Sequence, residues 1–513
     1  MNISTRKTFV LWLLVVLVAA ATLNAQNRRA RKSRMPRFKA VELVKEFDKN
    51  GNKRLDGGER VAARDHLVKL RKLGEGSGAD GSAAGKSELP ARKIAKDSVK
   101  SHADKALYDL DVIRTVFLDF ELPNWTKELQ TFYRTDVEVP ATMTVDGKAY
   151  KDVGVHYRGS SSYFTLRGAQ KTSFAIAMDY VDGKQTLGGY ETINLLNGHA
   201  DPSFMRTVLF AHLAAHYVPI PKACYVHLVI NGESWGLYIN DQQLNKDFLK
   251  EAFDTRKGAR WKIPPNFNGE SAFYYLGSEQ KDYDGKYLLK SAKSKKKAWA
   301  RLIEFCKLLH DTPADKLESV LPEILDVDRT LWFLAIDNIL MDGDGYHYRG
   351  SDYALYLDPK GRFCPLFRDN NEAFNYGGGP GGFGQRGATP ASGGARRRSP
   401  RLSSASLEPL ALIEQERAPL VSKVLSVPKW RAQYLANCRE VRDTWVDWQK
   451  IGPIVEKLRA QIEPLIKLDD KGLYGHEAFL QAIDQGSGRS PGLRKFFTER
   501  HEFLRDHKAL SKD

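Results

Sequence analysis

The sequence predicts an α+β protein in which a short helix-loop-helix is followed by a mostly antiparallel sheet and then by a helical half. Three observations predict it. Period-two apolar runs bounded by Asp-Gly and Asn-Gly turns recur between Val112 and Phe367, the pattern of strands joined by hairpins. A helical period returns from Leu407 to Lys508, through Leu420, Val424, Leu425, Leu435, Val441, Trp445, Ile454, Leu458, Ile462 and Ile466, with Pro453 and Pro464 interrupting it. Near the start, an acid-rich loop separates two further helical stretches. With 513 residues, 42% of them hydrophobic, the chain can build two or three domains.

Residues 1–25 carry Arg6 and Lys7, an apolar run from Phe9 to Thr22, and Leu-Asn-Ala before Gln26. A basic start, that length and a small residue at the cut point predict a secretory signal peptide, which places the body of the chain outside the cytoplasm, secreted or in the cell envelope or periplasm. An uncleaved anchor is the other reading, although the run is shorter than the roughly 20 residues a span needs. Residues 26–40 form a basic arm with seven Lys or Arg and no acid; Lys281 to Arg301 carries eight with two Asp, and Tyr376 to Ser406 carries five Arg. These three segments account for the whole net charge of +16. They read as solvated arms or as contacts for an acidic surface polymer. No nucleic-acid recognition motif accompanies them, so no specific nucleic acid is expected. Cys224, Cys306, Cys364 and Cys438 lie far apart without metal-ligand spacing and read as buried thiols.

Residues 41–72 contain the helix-loop-helix. Asp48, Asn50, Asn52, Arg54, Asp56 and Glu59 fall at positions 1, 3, 5, 7, 9 and 12 of an EF-hand-like calcium loop, Arg54 through its carbonyl, with Leu55 at the apolar position 8. Lys53 stands where the loop usually needs Gly for its sharp turn. A calcium site and a vestigial loop both fit. Residues 73–105, rich in Gly, Ser, Ala and Lys over Leu73 to Ser98, read as a linker.

From Asp111 short strands follow: Val112 to Leu118, Val137 to Val145, Lys148 to Tyr157 and Thr172 to Tyr180, with a short helix from Trp125 to Phe132 capped by Asn124. Arg158-Gly-Ser-Ser-Ser162 joins two strands, and Lys171 begins the second. Small residues let backbone N–H groups approach a phosphate, and a lysine on the next strand can reach the same oxygens; a plain hairpin loop shares the pattern. Asn231-Gly232 specifies a tight hairpin between Ala223–Ile230 and Ser234–Ile239.

The stretch from Leu331 to Phe374 carries the chemistry. An apolar helix ends at Asp342-Gly-Asp344-Gly, and two strands, Tyr353–Leu357 and Arg362–Phe367, turn at Asp358-Pro-Lys-Gly361. The hairpin brings Asp342, Asp344 and Asp352 to the same end of a small sheet as Asp369, Asn371 and Glu372. Clustered carboxylates suit Mg²⁺, Mn²⁺ or Ca²⁺. One acid before the hairpin and another after it is the order phosphoryl transfer uses. Residues 376–406 are low-complexity and too poor in apolar residues to order themselves.

These residues, with YRGSSSYF…KTSFAIAMD and INLLNGHADPSFMR…YVPIPKACYVHLVINGESWGLY, resemble the spore-coat CotH family of atypical, protein-kinase-like enzymes over roughly Asp136 to Phe374, with a weaker helical continuation to about residue 510. The resemblance implies a kinase-like two-lobed domain over residues 106–375 and 407–513, with an antiparallel-sheet N-lobe and a helical C-lobe. It implies ATP, Mg²⁺ or Mn²⁺, and transfer of the γ-phosphoryl group to Ser or Thr of a protein. By position Asp344 would orient the acceptor hydroxyl, Arg158 and Lys171 would contact nucleotide, and Asp369 would be the principal metal ligand, helped by Asp352. The chain departs from the family twice. Gln242-Gln243 stands for a Glu-Gln pair whose Glu partners the lysine, and Arg368-Asp-Asn-Asn371-Glu372 stands for Trp-Asp-x-Asp, leaving Asn371 and Glu372 as the remaining oxygen donors. A non-catalytic coat, adhesion or surface-assembly protein is the alternative. Oligomeric state is left open.

Overall fold

A computed structural model describes residues 41–74, 92–166, 171–265, 269–377, 404–487 and 490–511. The signal segment, the basic arm, residues 75–91 of the linker and residues 378–403 of the Gly/Arg-rich segment lie outside the described residues. Two compact units result, residues 1–76 with 130–138, and residues 77–129 with 139–513.

In the small unit a one-turn helix, Val44–Phe47, and a long one, Gly57–Gly74, flank the acidic loop. Leu43 donates its N–H to Asp136 Oδ1 at 2.7 Å, and Val41 bridges Thr135.

The large unit is a mixed α and β structure built on a barrel. Its strands are β1 (Arg114–Asp119), β2 (Val139–Val145), β3 (Lys148–Arg158), β4 (Ser173–Ala177), β5 (Thr192–Leu196), β6 (Ala223–Ile230) and β7 (Glu233–Gln242). They close in the order β1-β2-β3-β4-β5-β7-β6. Every neighbouring pair is antiparallel except β1 and β6, which run parallel from Arg114↔Val226 to Leu118↔Ile230. The expected mostly antiparallel pairing is present, but the sheet closes into a barrel through one parallel seam. Period-two patterning identifies each strand, but closure depends on pairing between residues about a hundred positions apart, which no local pattern encodes. Residues 92–94, expected as linker, run beside the β6–β7 turn, where Ser234 N–H donates to Arg92 O at 2.8 Å.

A second sheet holds the hairpin. Strands β8 (Ala259–Lys262), β9 (Leu288–Ser291), β10 (Tyr353–Leu357) and β11 (Phe363–Phe367) lie in the order β11-β10-β8-β9. The two-stranded hairpin of the sequence reading thus gains two short neighbours. An isolated hairpin is marginal in water, and the added strands bury its backbone.

Around these sheets pack the helices. Val327–Leu340 starts at Asp326, whose side chain accepts from Arg329 N–H at 3.3 Å, and packs against Pro428–Trp445. Trp448–Lys467 runs unbroken through Pro453 and Pro464, against the expected interruptions. Each proline costs about 3 kcal/mol in a helix interior, but Ile451, Val455, Leu458, Ile462 and Ile466 bury one continuous face that outweighs it. All four cysteines are free and buried, and burial pushes the Cys224 and Cys438 thiols up to about 12. Among the described residues no helix is long and apolar enough to cross a membrane.

Arg500, on the helix Leu493–Arg505, is fully buried. Its guanidinium donates to the carbonyls of Asn338, Ile339, Ala405 and Leu407 at 2.7–3.1 Å. Arg500→Leu leaves four buried carbonyls without a donor, and urea titration is expected to show a loss on the order of 3–5 kcal/mol. A loss below about 1 kcal/mol would mean water replaces the clamp.

Candidate functional site

The helix Val327–Leu340 ends at Met341 in the left-handed region, φ +51°, and the chain passes through Asp342–Gly345 into a single turn, Tyr346–Arg349. That turn is pinned from below by Asp337. Its Oδ2 accepts the His347 backbone N–H at 2.8 Å and the His347 ring Nδ1–H at 2.6 Å, with both side chains buried. A Cβ at Gly345 would collide with the Asp337 carboxylate, so only glycine admits this approach.

The pinned turn fixes Asp344 and Arg349. Asp342 and Asp344 are both buried, and Asp342 Oδ2 accepts from Asn370 Nδ2 at 2.7 Å. One oxygen of each, Asp342 Oδ1 and Asp344 Oδ1, is buried without a hydrogen-bond partner. Burial first, and then repulsion from neighbouring carboxylates, Asp337 for the one and Asp342 for the other, hold both carboxyls well above the usual range. Arg349 partly offsets this at Asp344, at 3.6 Å, and also reaches Glu372 at 3.4 Å.

The hairpin supplies the rest. Its last pair, Tyr353↔Phe367, sets Asp352 beside Arg368 and Asp369 at one end of the sheet. Asp352 and Asp369 both lie in the left-handed region, at φ +54° and +62°, which aspartate tolerates better than most residues. Arg368 spans them, with Nη1 3.8 Å from Asp352 Oδ1 and Nη2 3.1 Å from Asp369 Oδ2. Burial, reinforced by Asp369, pushes the Asp352 carboxyl up to about 7. Partial burial also works against Asp369, but Arg368, Lys262 and Arg158 together outweigh it and hold that carboxyl below the usual value.

Arg158, the last residue of β3, faces Asp241 of β7 at 3.9 Å. Burial, only partly countered by Arg158, raises Asp241 to about 6. Lys262, the last residue of β8, is pulled down to about 7, chiefly by Arg368 and then by burial. Nη1 of Arg158 and Nη1 of Arg368 are both buried without a hydrogen-bond acceptor. The mouth of the hairpin therefore presents orphan donors on one side and orphan carboxylate oxygens on the other.

Of the residues singled out in the sequence, Asp344, Asp352, Asp369, Glu372 and Arg158 come together here. Asn371 stands at the edge, where its Nδ2 donates to His199 O at 3.2 Å. Lys171 does not join them. Its ammonium is fully buried in an ion pair with Asp469, between the rings of Phe204 and Tyr238 at 5.6 and 5.0 Å. Gln242 is engaged elsewhere, accepting from Lys222 N–H at 3.0 Å and donating to Glu251 at 2.7 Å. The acid that partners Lys171 is thus Asp469, which lies 298 residues further along the chain. Sequence reasoning missed Lys262, Arg349, Asp241 and the Asp337–His347 pair. Only Arg349, five residues after Asp344, carried a local signal.

The four residues expected to hold Mg²⁺ or Mn²⁺ do not fit that ion as they stand. Arg368 occupies Asp352 and Asp369, Arg349 occupies Glu372, and the Asn371 amide is turned to a carbonyl. Among the described residues no group of three or more His, Cys, Asp or Glu is placed to share a metal.

In the small unit, Asp48 accepts the N–H groups of Gly51 (2.8 Å), Asn52 (3.2 Å) and Lys53 (2.7 Å), and Glu59 accepts those of Lys49 (2.8 Å) and Asp56 (3.0 Å). Asn50 Nδ2 donates to Asp56 at 3.1 Å, and Arg54 N–H to Asn52 Oδ1 at 3.0 Å. Lys53 takes the left-handed conformation, φ +64°, that glycine would adopt without strain.

A model of the CotH family, described as CotH kinase protein, matches residues 155–504, more than half of the chain. No curated protein matches it.

The raised Asp352 carboxyl makes a prediction. The folded protein keeps that proton up to about pH 7, whereas the unfolded chain releases it near the ordinary value of about 4. The folded state therefore binds more protons between these values, and its stability falls as pH rises across them. Asp352→Asn cannot ionise and keeps the left-handed backbone. It is expected to melt at least about 2 °C above wild type near pH 8 and level with it near pH 3. An equal gap at both pH values would trace the effect to packing.

Proposed function

The chain belongs to the CotH family, and from that membership we propose that it is a phosphotransferase moving the γ-phosphoryl group of ATP to a serine or threonine hydroxyl of a protein. The observation that carries the proposal is the pairing of orphan guanidinium donors, on Arg158 and Arg368, with an orphan carboxylate oxygen on Asp344. Guanidinium N–H groups suit phosphate oxygens, and a carboxylate oxygen without a donor suits a hydroxyl. In the transfer the acceptor oxygen bonds to the γ-phosphorus, the bond from that phosphorus to the β-bridging oxygen breaks, ADP leaves, and the hydroxyl proton passes to Asp344. Arg349 offsets part of the burial and repulsion that hold the proton on Asp344, and Arg158 and Arg368 balance charge on the phosphates. The barrel and the helical remainder act as the two lobes of a kinase-like fold. With the signal-peptide pattern at its start, the protein works outside the cytoplasm on an extracytoplasmic acceptor.

Asp344→Asn is expected to cut incorporation of γ-phosphate, into the protein itself or a Ser-rich basic substrate, by at least about 100-fold. Its melting temperature should not fall, because the amide cannot carry the buried, repelled charge. Wild-type protein that neither binds ATP nor transfers phosphate would instead support the surface-assembly reading, which the amide at Asn371 favours.

We also propose that the loop from Asp48 to Glu59 binds Ca²⁺. The inward-turned N–H groups already shape the loop around the Asp48 carboxylate. Calcium at about 100 times its dissociation constant stabilises a folded site by about 2.7 kcal/mol. Differential scanning calorimetry with Ca²⁺ should therefore shift a transition upward in wild type and leave it unmoved in Asp48→Ala; an unmoved wild-type transition at millimolar Ca²⁺ would mark the loop as vestigial.

A further inference from the structure

We propose that the nucleotide's phosphate chain binds directly to Arg158, Lys262 and Arg368, and that the Arg368 guanidinium takes the place of a divalent ion between Asp352 and Asp369. This rests on the phosphotransferase reading.

The first support is position. Arg368 lies 3.8 Å from Asp352 and 3.1 Å from Asp369, the two carboxylates at the open end of the β10–β11 hairpin. A divalent ion bridging those two acids would need the volume the guanidinium fills, and it would stand against a fixed like charge.

The second support is the hydrogen-bond inventory. Nη1 of Arg368 and Nη1 of Arg158 are both buried with no acceptor, since their nearest carboxylates lie beyond hydrogen-bond range at 3.8 and 3.9 Å. Buried charged donors are rarely left unmatched. A ligand with several oxygens supplies what the protein does not, and a planar guanidinium can grip two phosphate oxygens at once.

The third is charge. Arg158 from β3, Lys262 and Arg260 from β8, Lys290 from β9 and Arg368 after β11 act on one another, against Asp241, Asp352 and Asp369. Lys262 pairs with Ala354, two residues after Asp352, so like charges crowd one end of the sheet. Two further positive charges would sharpen that repulsion, whereas a phosphate chain relieves it. The site is reachable, because the Asp369 side chain is 47% exposed and that of Arg158 23%.

Isothermal titration calorimetry of the full protein with ATP tests this, once in EDTA and once in excess Mg²⁺. The dissociation constants are expected to agree within roughly threefold. Arg368→Leu should weaken binding in EDTA by at least about tenfold and restore it in part with Mg²⁺, because the two carboxylates are freed. If that variant does not fold, Lys262→Gln, at a partly exposed position, should still weaken metal-free binding by about tenfold. Wild type that binds ATP only with Mg²⁺ overturns the proposal and leaves the phosphotransferase reading standing. Wild type that binds ATP in neither buffer overturns both.

Discussion

The site depends on one buried side chain that lies behind it. Arg206 opens the helix Arg206–Ala214 and is almost wholly buried. Its guanidinium donates to Ala373 O at 2.5 Å, Phe374 O at 2.7 Å and Pro491 O at 2.6 Å, with Asp201 3.6 Å away to balance its charge. Ala373 and Phe374 directly follow the loop that carries Asp369 and Glu372. A loop has no ladder to satisfy its carbonyls, and buried carbonyls without donors would drive it out to water. Arg206 removes that penalty, so an irregular segment can stay beneath the hairpin mouth. Arg500 does the same for the last turn of the helix that leads into Asp342. Both acidic loops are thus held by arginines whose Nη groups donate chiefly to main-chain oxygens.

The arginines on the other side of the loops are different. Arg158 and Arg368 keep a buried donor with no acceptor, although carboxylates lie close by. Arg206 Nε is orphaned in the same way, 3.6 Å from Asp201, so what sets Arg158 and Arg368 apart is their partial exposure beside other cations. A guanidinium sealed among main-chain carbonyls is a bracket; one with a donor left over at a partly exposed end of the sheet, beside acids and other cations, stands ready for a ligand. The carboxylates repeat the division. Asp337 is matched by His347, while Asp342 and Asp344 each retain an orphan oxygen and hold their protons more tightly than an exposed acid would. Repulsion among buried acids is a cost to folding that a binding surface retains because a substrate relieves it.

What the sequence makes legible follows the range of the interaction. The hairpin Tyr353–Leu357 and Phe363–Phe367 is written in its turn, Asp358-Pro-Lys-Gly361, and the β6–β7 hairpin in Asn231-Gly232. Both emerge with nearly the expected bounds, and so does the meeting of Asp352 with Asp369, which follows from the register. The parallel seam between β1 and β6 does not show, because neither strand differs in pattern from an antiparallel one. β8 and β9 are four residues each, too short for a period to declare itself. The helix through Pro453 and Pro464 overrides a local breaker with an apolar face that matters only once the rest of the core is present. Lys262 reaches the site from one of those short strands, so the same brevity that hid the strand hid the cation.

Lys171 shows how such a gap redirects the chemistry. In the sequence a glutamine stands where an acid would pair with it, which leaves the lysine without a counter-charge. Folding supplies Asp469 instead, and does so closely enough that Gly236 can carry no Cβ without striking that carboxylate. The pair is buried on both sides and fastens the start of β4 to the segment after the helix Trp448–Lys467. Withdrawing the ammonium toward a phosphate would strand a buried carboxylate, a penalty of about 3–5 kcal/mol that a surface lysine never faces. Charge for an anionic ligand must therefore come from cations that are less deeply buried. On this protein those lie at the ends of β3, β8 and β11, where Arg158, Lys262 and Arg368 converge on Asp369.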